Sequence, residues 1–155
     1  MGDLVRLIAL DLLVVILISL AAGVSAPHWG GAWLTRDSWM LRPAPWESTA
    51  FFRRFPLKTW ARLLPEMGAT FGGRSKRQVP ERDPAAVSAY LVELRRAEWV
   101  HWFSVFSWVP LAFFNPWWLT LIFAVLVTVG NGPFLLILRG NRMRVEAILD
   151  RLAEG

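Results

Sequence analysis

Between Trp99 and Leu138 the chain carries no Lys, Arg, Asp or Glu, an uninterrupted run of 40 residues. At about 1.5 Å of rise per residue, that run crosses a hydrocarbon core of roughly 30 Å twice as helices. A water-soluble domain of 155 residues scatters charge through every window of this length. A second stretch, Leu4 to Val24, is broken only by Arg6 and Asp11. The reading is an all-α integral membrane protein: about three membrane-embedded helices plus interfacial amphipathic helices, in a single domain over 1–155.

The spans are expected at about 4–24, 99–114 and 117–138. Pro27 and Gly30-Gly31 end the first. Its apolar core and Val24-Ser25-Ala26 resemble a signal peptide and its cleavage site. Pro27 would directly follow the cut, however, and the stretch is long enough to span, so a retained anchor is expected. The second segment has 16 residues and contains Pro110, which makes it short, kinked or re-entrant. Asn115-Pro116 makes the turn into the third. The interfacial region, 27–98, is rich in Trp29, Trp33, Trp39 and Trp46, as suits a head-group layer. Phe51 to Leu64 mixes aromatic and basic residues and is cut by Pro56, which predicts two short interfacial helices. Gly68 to Arg82 reads as a loop. Asp83-Pro84 reads as an N-cap and first helical residue, opening a helix that continues into the second segment.

Charge sets the orientation. The region from Pro27 to Glu98 has 12 Lys/Arg against 7 Asp/Glu, which accounts for the net charge of +5, and the tail 139–155 has 4 Lys/Arg. The Asn115 turn has no cation, so the positive-inside rule predicts a multi-pass cell-membrane protein with basic region and C-terminus cytoplasmic. A basic segment between spans points to anionic lipid head groups or an anionic substrate as partner, and not to nucleic acid. With no cysteine in the chain, disulfides, thiolate metal sites and a Cys nucleophile are excluded.

The richest chemistry lies in Glu93-Leu-Arg95-Arg96-Ala-Glu98-Trp-Val-His101-Trp102. Glu98 and His101, three apart on a helix, are neighbours, and so are Arg95 and Glu98. A carboxylate beside an imidazole fixes its tautomer and raises its basicity, which suits a general base acting on a hydroxyl. The plainer alternative is an interfacial ion-pair cluster anchored by Trp. A single Glu-x-x-His copy falls short of the two pairs of a di-iron bundle, so no metal site is assigned. Asn131 lies inside the third span, where a bare amide is costly. Antiparallel packing brings Asn131, Asn141 and Arg142 to the side of Glu98 and His101. Asp11 is a third intramembrane polar group and is read as structural. Lys58, Trp60, Lys76 and Arg77 form a weaker candidate for gripping a phosphate or carboxylate. No Gly-x-Ser-x-Gly elbow, P-loop or dinucleotide fingerprint is present, and Phe106 stands where a His-x4-Asp pair would need Asp.

Taken in order, Lys58-x-Trp60 with Leu64-Pro65, Glu93-x-x-Arg96-x-Glu98-x-x-His101-Trp102, Asn115-Pro116, and Asn131-x-Pro133 leading to Asn141-Arg142 resemble the glycosyl-4,4'-diaponeurosporenoate acyltransferase family. The resemblance implies transfer of a fatty acyl chain to a sugar hydroxyl of a lipid-linked glycoside, a glycosyl carotenoid or other glycolipid. It implies no cofactor, only an acyl donor such as acyl-CoA or an acyl lipid as co-substrate. On this reading His101 accepts the hydroxyl proton and Glu98 orients it. Asn131, Asn141 or Arg142 stabilises the oxyanion, and Arg95, Arg96, Lys58 and Lys76 hold the donor's charged head. Trp60, Glu93 and Trp102 complete the substrate-binding set. The competing readings are a non-catalytic membrane scaffold or lipid-binding subunit, and a metal-dependent hydrolase or oxidase.

Overall fold

A computed structural model describes residues 2–30, 32–36, 38–64 and 83–154. Lys76, Arg77, the loop expected at Gly68 to Arg82, and Pro65 lie outside them. Among the described residues the fold is all helical. Helix α1 covers Gly2–Ser25. Pro27, which has no backbone donor, then tightens the chain into a 3-10 turn at Ala26–His28. Short helices follow: α2 (Ala32–Thr35), α3 (Thr49–Phe52) and α4 (Leu57–Leu63). The Ser48 hydroxyl caps α3 by accepting from the Phe51 amide at 3.1 Å, and Pro56 separates α3 from α4 as its position predicts.

Helix α5 (Pro84–Val105) starts where Asp83 accepts from the amides of Ala85 and Ala86, each at 3.2 Å. It runs through the polar block into the uncharged segment without a break. The expected second span, 99–114, is therefore not a helix of its own. Its first residues are the last two turns of α5, and the rest is a 3-10 run over Phe106–Phe113. Pro110 explains the change: its ring clashes with the carbonyl four residues back, that of Phe106, so the α-helix cannot continue past that point. Ser104 and Ser107 mark the transition, their hydroxyls bonding back to the carbonyls of Val100 (3.1 Å) and Ser104 (2.7 Å).

Helix α6 covers Trp117–Glu154, 38 residues and about 57 Å long, so the third apolar segment and the charged tail are one rod through Pro133. Two helices, α1 and α6, are long and apolar enough to cross a membrane. They are not core helices of a soluble fold. Only 11% and 17% of their most apolar windows are buried, and Leu13, Leu17, Leu121, Val125 and Val129 stand more than half exposed.

Antiparallel packing of α5 on α6 forms the main core, in which Val87, Tyr90, Leu91, Leu94 and Ala97 meet Leu138 and Val145. A second cluster, Leu111, Leu119 and Phe123, seats Leu7, Val14 and Val15 of α1. Asp11, fully buried on α1, accepts from the Asn115 side-chain amide at 2.7 Å and ties α1 to the turn before α6. On the opposite side of α6, Gly140 lets α3 and α4 approach. A β-carbon there would stand 3.0 Å from Leu57 Cδ1 and 3.4 Å from the Phe52 ring.

Candidate active site

The polar groups gather where α5 enters the uncharged run and α6 is about to leave it. Asn131 is anchored first: its Nδ2 donates to the Val127 carbonyl one turn back, at 2.8 Å. That bond fixes the amide, so Oδ1 is the atom facing His101 Nδ1 across the helix pair, at 2.9 Å. An amide oxygen only accepts, so Nδ1 carries the hydrogen and Nε2 is left as the basic nitrogen of the neutral ring. Phe134, three residues after Asn131 on the same face, stacks on the imidazole with centroids 4.7 Å apart and planes 15° from parallel. The half-buried ring is thus held by a hydrogen bond to Asn131 and by the face of Phe134.

Glu98 faces elsewhere. It is fully buried, with Oε1 accepting from Arg139 Nη1 at 2.8 Å and Oε2 lying 3.2 Å from Arg142 Nε. The work of orienting His101, which spacing assigns to Glu98, falls to Asn131. Glu98 instead organises two buried guanidinium groups. Arg139 also donates to the carbonyls of Met40 (3.2 Å) and Arg42 (2.9 Å) and pairs with Glu47 at 2.7 Å. Arg142 donates to the Leu41 carbonyl and pairs with Glu146 at 3.1 Å. The two arginines pin the segment around residues 40–47 onto the α5–α6 pair. Burial pushes the Glu98 carboxyl above its ordinary value of 4.5, against the pull of Arg142 and then Arg139.

The remaining candidates divide by their partners. Arg95 donates to the Thr35 carbonyl at 3.0 Å and lies 3.5 Å from Glu146. Arg96 pairs with Glu93 and donates to the Trp29 carbonyl at 3.1 Å. Both therefore tie the Trp-rich segment to α5. Trp102 stacks on Phe106 at 6.1 Å, and Trp60 lies 6.0 Å from Phe55. Lys58 is exposed on α4, away from the α5–α6 seam. Asn141 is ten residues beyond Asn131, about 15 Å along α6. Just beyond the C-terminal end of α1, Trp29, Trp33, Trp99 and Phe103 pack edge to face or tilted at 5.5–5.8 Å. Phe134, Arg139, Glu47 and Glu146 are additions that the sequence reading left out of the site. The i,i+3 spacing of Phe134 and i,i+4 spacing of Glu146 were available signals; Glu47, 92 residues from Arg139, offered none.

Together these features define an all-helical protein, two of whose helices are long and apolar enough to cross a membrane, with a tautomer-fixed imidazole at the mouth of its apolar run and a caged carboxylate beneath. The chain belongs to the glycosyl-4,4'-diaponeurosporenoate acyltransferase family, whose model matches residues 32–151. It is 31% identical over 113 residues to a Staphylococcus haemolyticus protein named glycosyl-4,4'-diaponeurosporenoate acyltransferase. That alignment takes in 70% of this chain and 61% of the relative, so the chain spans about three-fifths of the protein it matches. No solved structure matches the chain.

Proposed function

We propose that the protein is an integral membrane acyltransferase that moves a fatty acyl chain onto a sugar hydroxyl of a lipid-linked glycoside. Family membership supports the reaction class, and the His101–Asn131 pair is the observation that carries it to this chain's residues. The acceptor hydroxyl gives its proton to His101 Nε2 as its oxygen attacks the acyl carbonyl. The tetrahedral adduct then collapses, the donor's carbon–heteroatom bond breaks, and the imidazolium returns the proton to the departing thiolate or alkoxide. Asn131 holds the Nδ1–H throughout and stabilises the imidazolium that forms. Acid–base chemistry of this kind calls on no cofactor beyond the acyl donor itself. Glu98, Arg139 and Arg142 shape the site from below and do not touch the reacting atoms.

The bilayer supplies the setting. In this reading α1 and the first 22 residues of α6 cross it, the 3-10 run enters beside them, and the basic segment and tail face the cytoplasm. Donor and acceptor both partition into lipid, and His101 sits where their polar parts emerge. The test is lipid analysis of cells with and without the protein, with a His101→Gln variant alongside. The expected result is a glycolipid that gains one acyl chain only with the unaltered protein. A variant that restores the same product removes His101 from the mechanism, and the absence of any acylated glycolipid favours the scaffold.

A further inference from the structure

We propose that the cleft between α3 and α6 is a head-group site for an anionic phospholipid of the surrounding bilayer. It has a volume of about 170 Å³ and is lined by Thr49, Phe52, Arg53, Gly140, Met143 and Arg144. At about 30 Å³ of liquid volume per water, it has room for a phosphate group and the first atoms of its ester. The lining suits that guest: two guanidinium groups, a hydroxyl, and an apolar floor of Phe52 and Met143. Among the described residues no carboxylate lines it.

Two further observations separate this cleft from the paired arginines of α5 and α6. Arg95, Arg96, Arg139 and Arg142 are all committed to carboxylates and backbone carbonyls. Arg53 and Arg144 are exposed and make no side-chain hydrogen bond or ion pair with another described residue. Depth is the second observation. The uncharged run ends at Leu138, and Gly140 to Arg144 lie two to six residues beyond, about 3–9 Å along the helix axis. That is the thickness of a head-group layer. Exposed Trp46 and Leu63 flank α3 and α4, where interfacial side chains meet lipid.

The occupant is a structural lipid and not the reacting donor. Nine residues separate Gly140 from Asn131, which at 100° each puts the cleft half a turn round α6 from the face that holds His101. The proposal rests on the membrane reading but not on acyl transfer. Phase partitioning without detergent scores the membrane reading separately, since a chain recovered in the aqueous phase fails that reading alone.

The test uses the full chain in detergent, with short-chain phosphatidylglycerol, phosphatidylcholine of equal chain length, inorganic phosphate and coenzyme A as probes. Thermal stabilisation reports binding. Phosphatidylglycerol is expected to stabilise at the lowest concentration. The double variant R53Q/R144Q should need at least about tenfold more of it, while R54Q/R62Q, which removes two exposed arginines of the same surface, should stay within threefold. Both pairs are solvent-facing, so unliganded stability is expected to be unchanged. If R53Q/R144Q lowers it, the single variants R53Q and R144Q are each expected to weaken binding severalfold. Equal loss in both double variants, equal stabilisation by phosphatidylcholine, or stabilisation by phosphate or coenzyme A at matching concentrations overturns the proposal.

Discussion

At the scale of single residues, the arrangement turns on which atom faces His101 Nδ1. Asn131 presents an acceptor because its own donor is tied to Val127, so its replacement by an apolar side chain releases the tautomer. Asn131→Leu is expected to lower kcat by about 10²-fold with KM little changed, because ground-state contacts to substrate are untouched. Equal loss in KM would instead make Asn131 a substrate-binding group. The Glu98 cage makes a second prediction. Replacing Arg139 by Met takes the ion-pair partner from Glu47 and leaves the buried Glu98 with Arg142 alone, and is expected to cost about 3–5 kcal/mol in thermal or denaturant unfolding. The native state holds the Glu98 proton more tightly than the unfolded chain. Its contribution to stability is therefore full below pH 4.5 and fades as pH rises through the elevated value. A Glu98→Gln variant should lack this slope. Antiparallel packing, read from the sequence, brings Asn131, Asn141 and Arg142 toward Glu98 and His101, and the structure pairs His101 with Asn131 and Glu98 with Arg142. Spacing could not say which neighbour Glu98 would take. That choice depends on Arg139 and on carbonyls from residues 40–42, which come from a distant stretch with no periodic link to α5.

Among the elements, prolines and one glycine decide the architecture. Pro56, Pro84 and Asp83 act where local rules place them, so α3, α4 and the start of α5 were legible. The uncharged run was harder to divide. The helix opened at Asp83-Pro84 continues into it to Val105, as the sequence indicates, whereas Pro110 marked the segment as short, kinked or re-entrant without specifying the 3-10 run over Phe106–Phe113. Pro133 lies inside α6, which continues unbroken to Glu154. Gly140 is the contact point for α3 and α4. Gly140→Val is expected to cost about 1–3 kcal/mol, since the added atoms meet Leu57 and Phe52 before they meet open space. Limited proteolysis of the 48–64 segment should then become faster than in the unaltered chain. An unchanged cleavage rate would mean that α3 and α4 are not held by α6.

The whole molecule sets a polar, ion-paired half against an apolar half whose helices have little protein cover. The polar half holds the buried arginines and the pinned Trp segment; the apolar half holds α1, the 3-10 run and most of the uncharged part of α6. Asp11 and Asn115 close the far end. Asp11→Ala leaves the Asn115 amide buried without its partner and is expected to cost about 1–3 kcal/mol, seen as a lower Tm in detergent. Such a division places the imidazole at a boundary where two lipid-soluble substrates can meet a base. The central claim is that His101 is that base. It is tested most directly by single-turnover acyl transfer to a glycolipid acceptor, comparing the unaltered chain with His101→Gln at equal folded concentration, folding being checked by Tm. A rate lower by about 10²–10⁴-fold with unaltered Tm is the predicted result. A rate within threefold of the unaltered protein would contradict it.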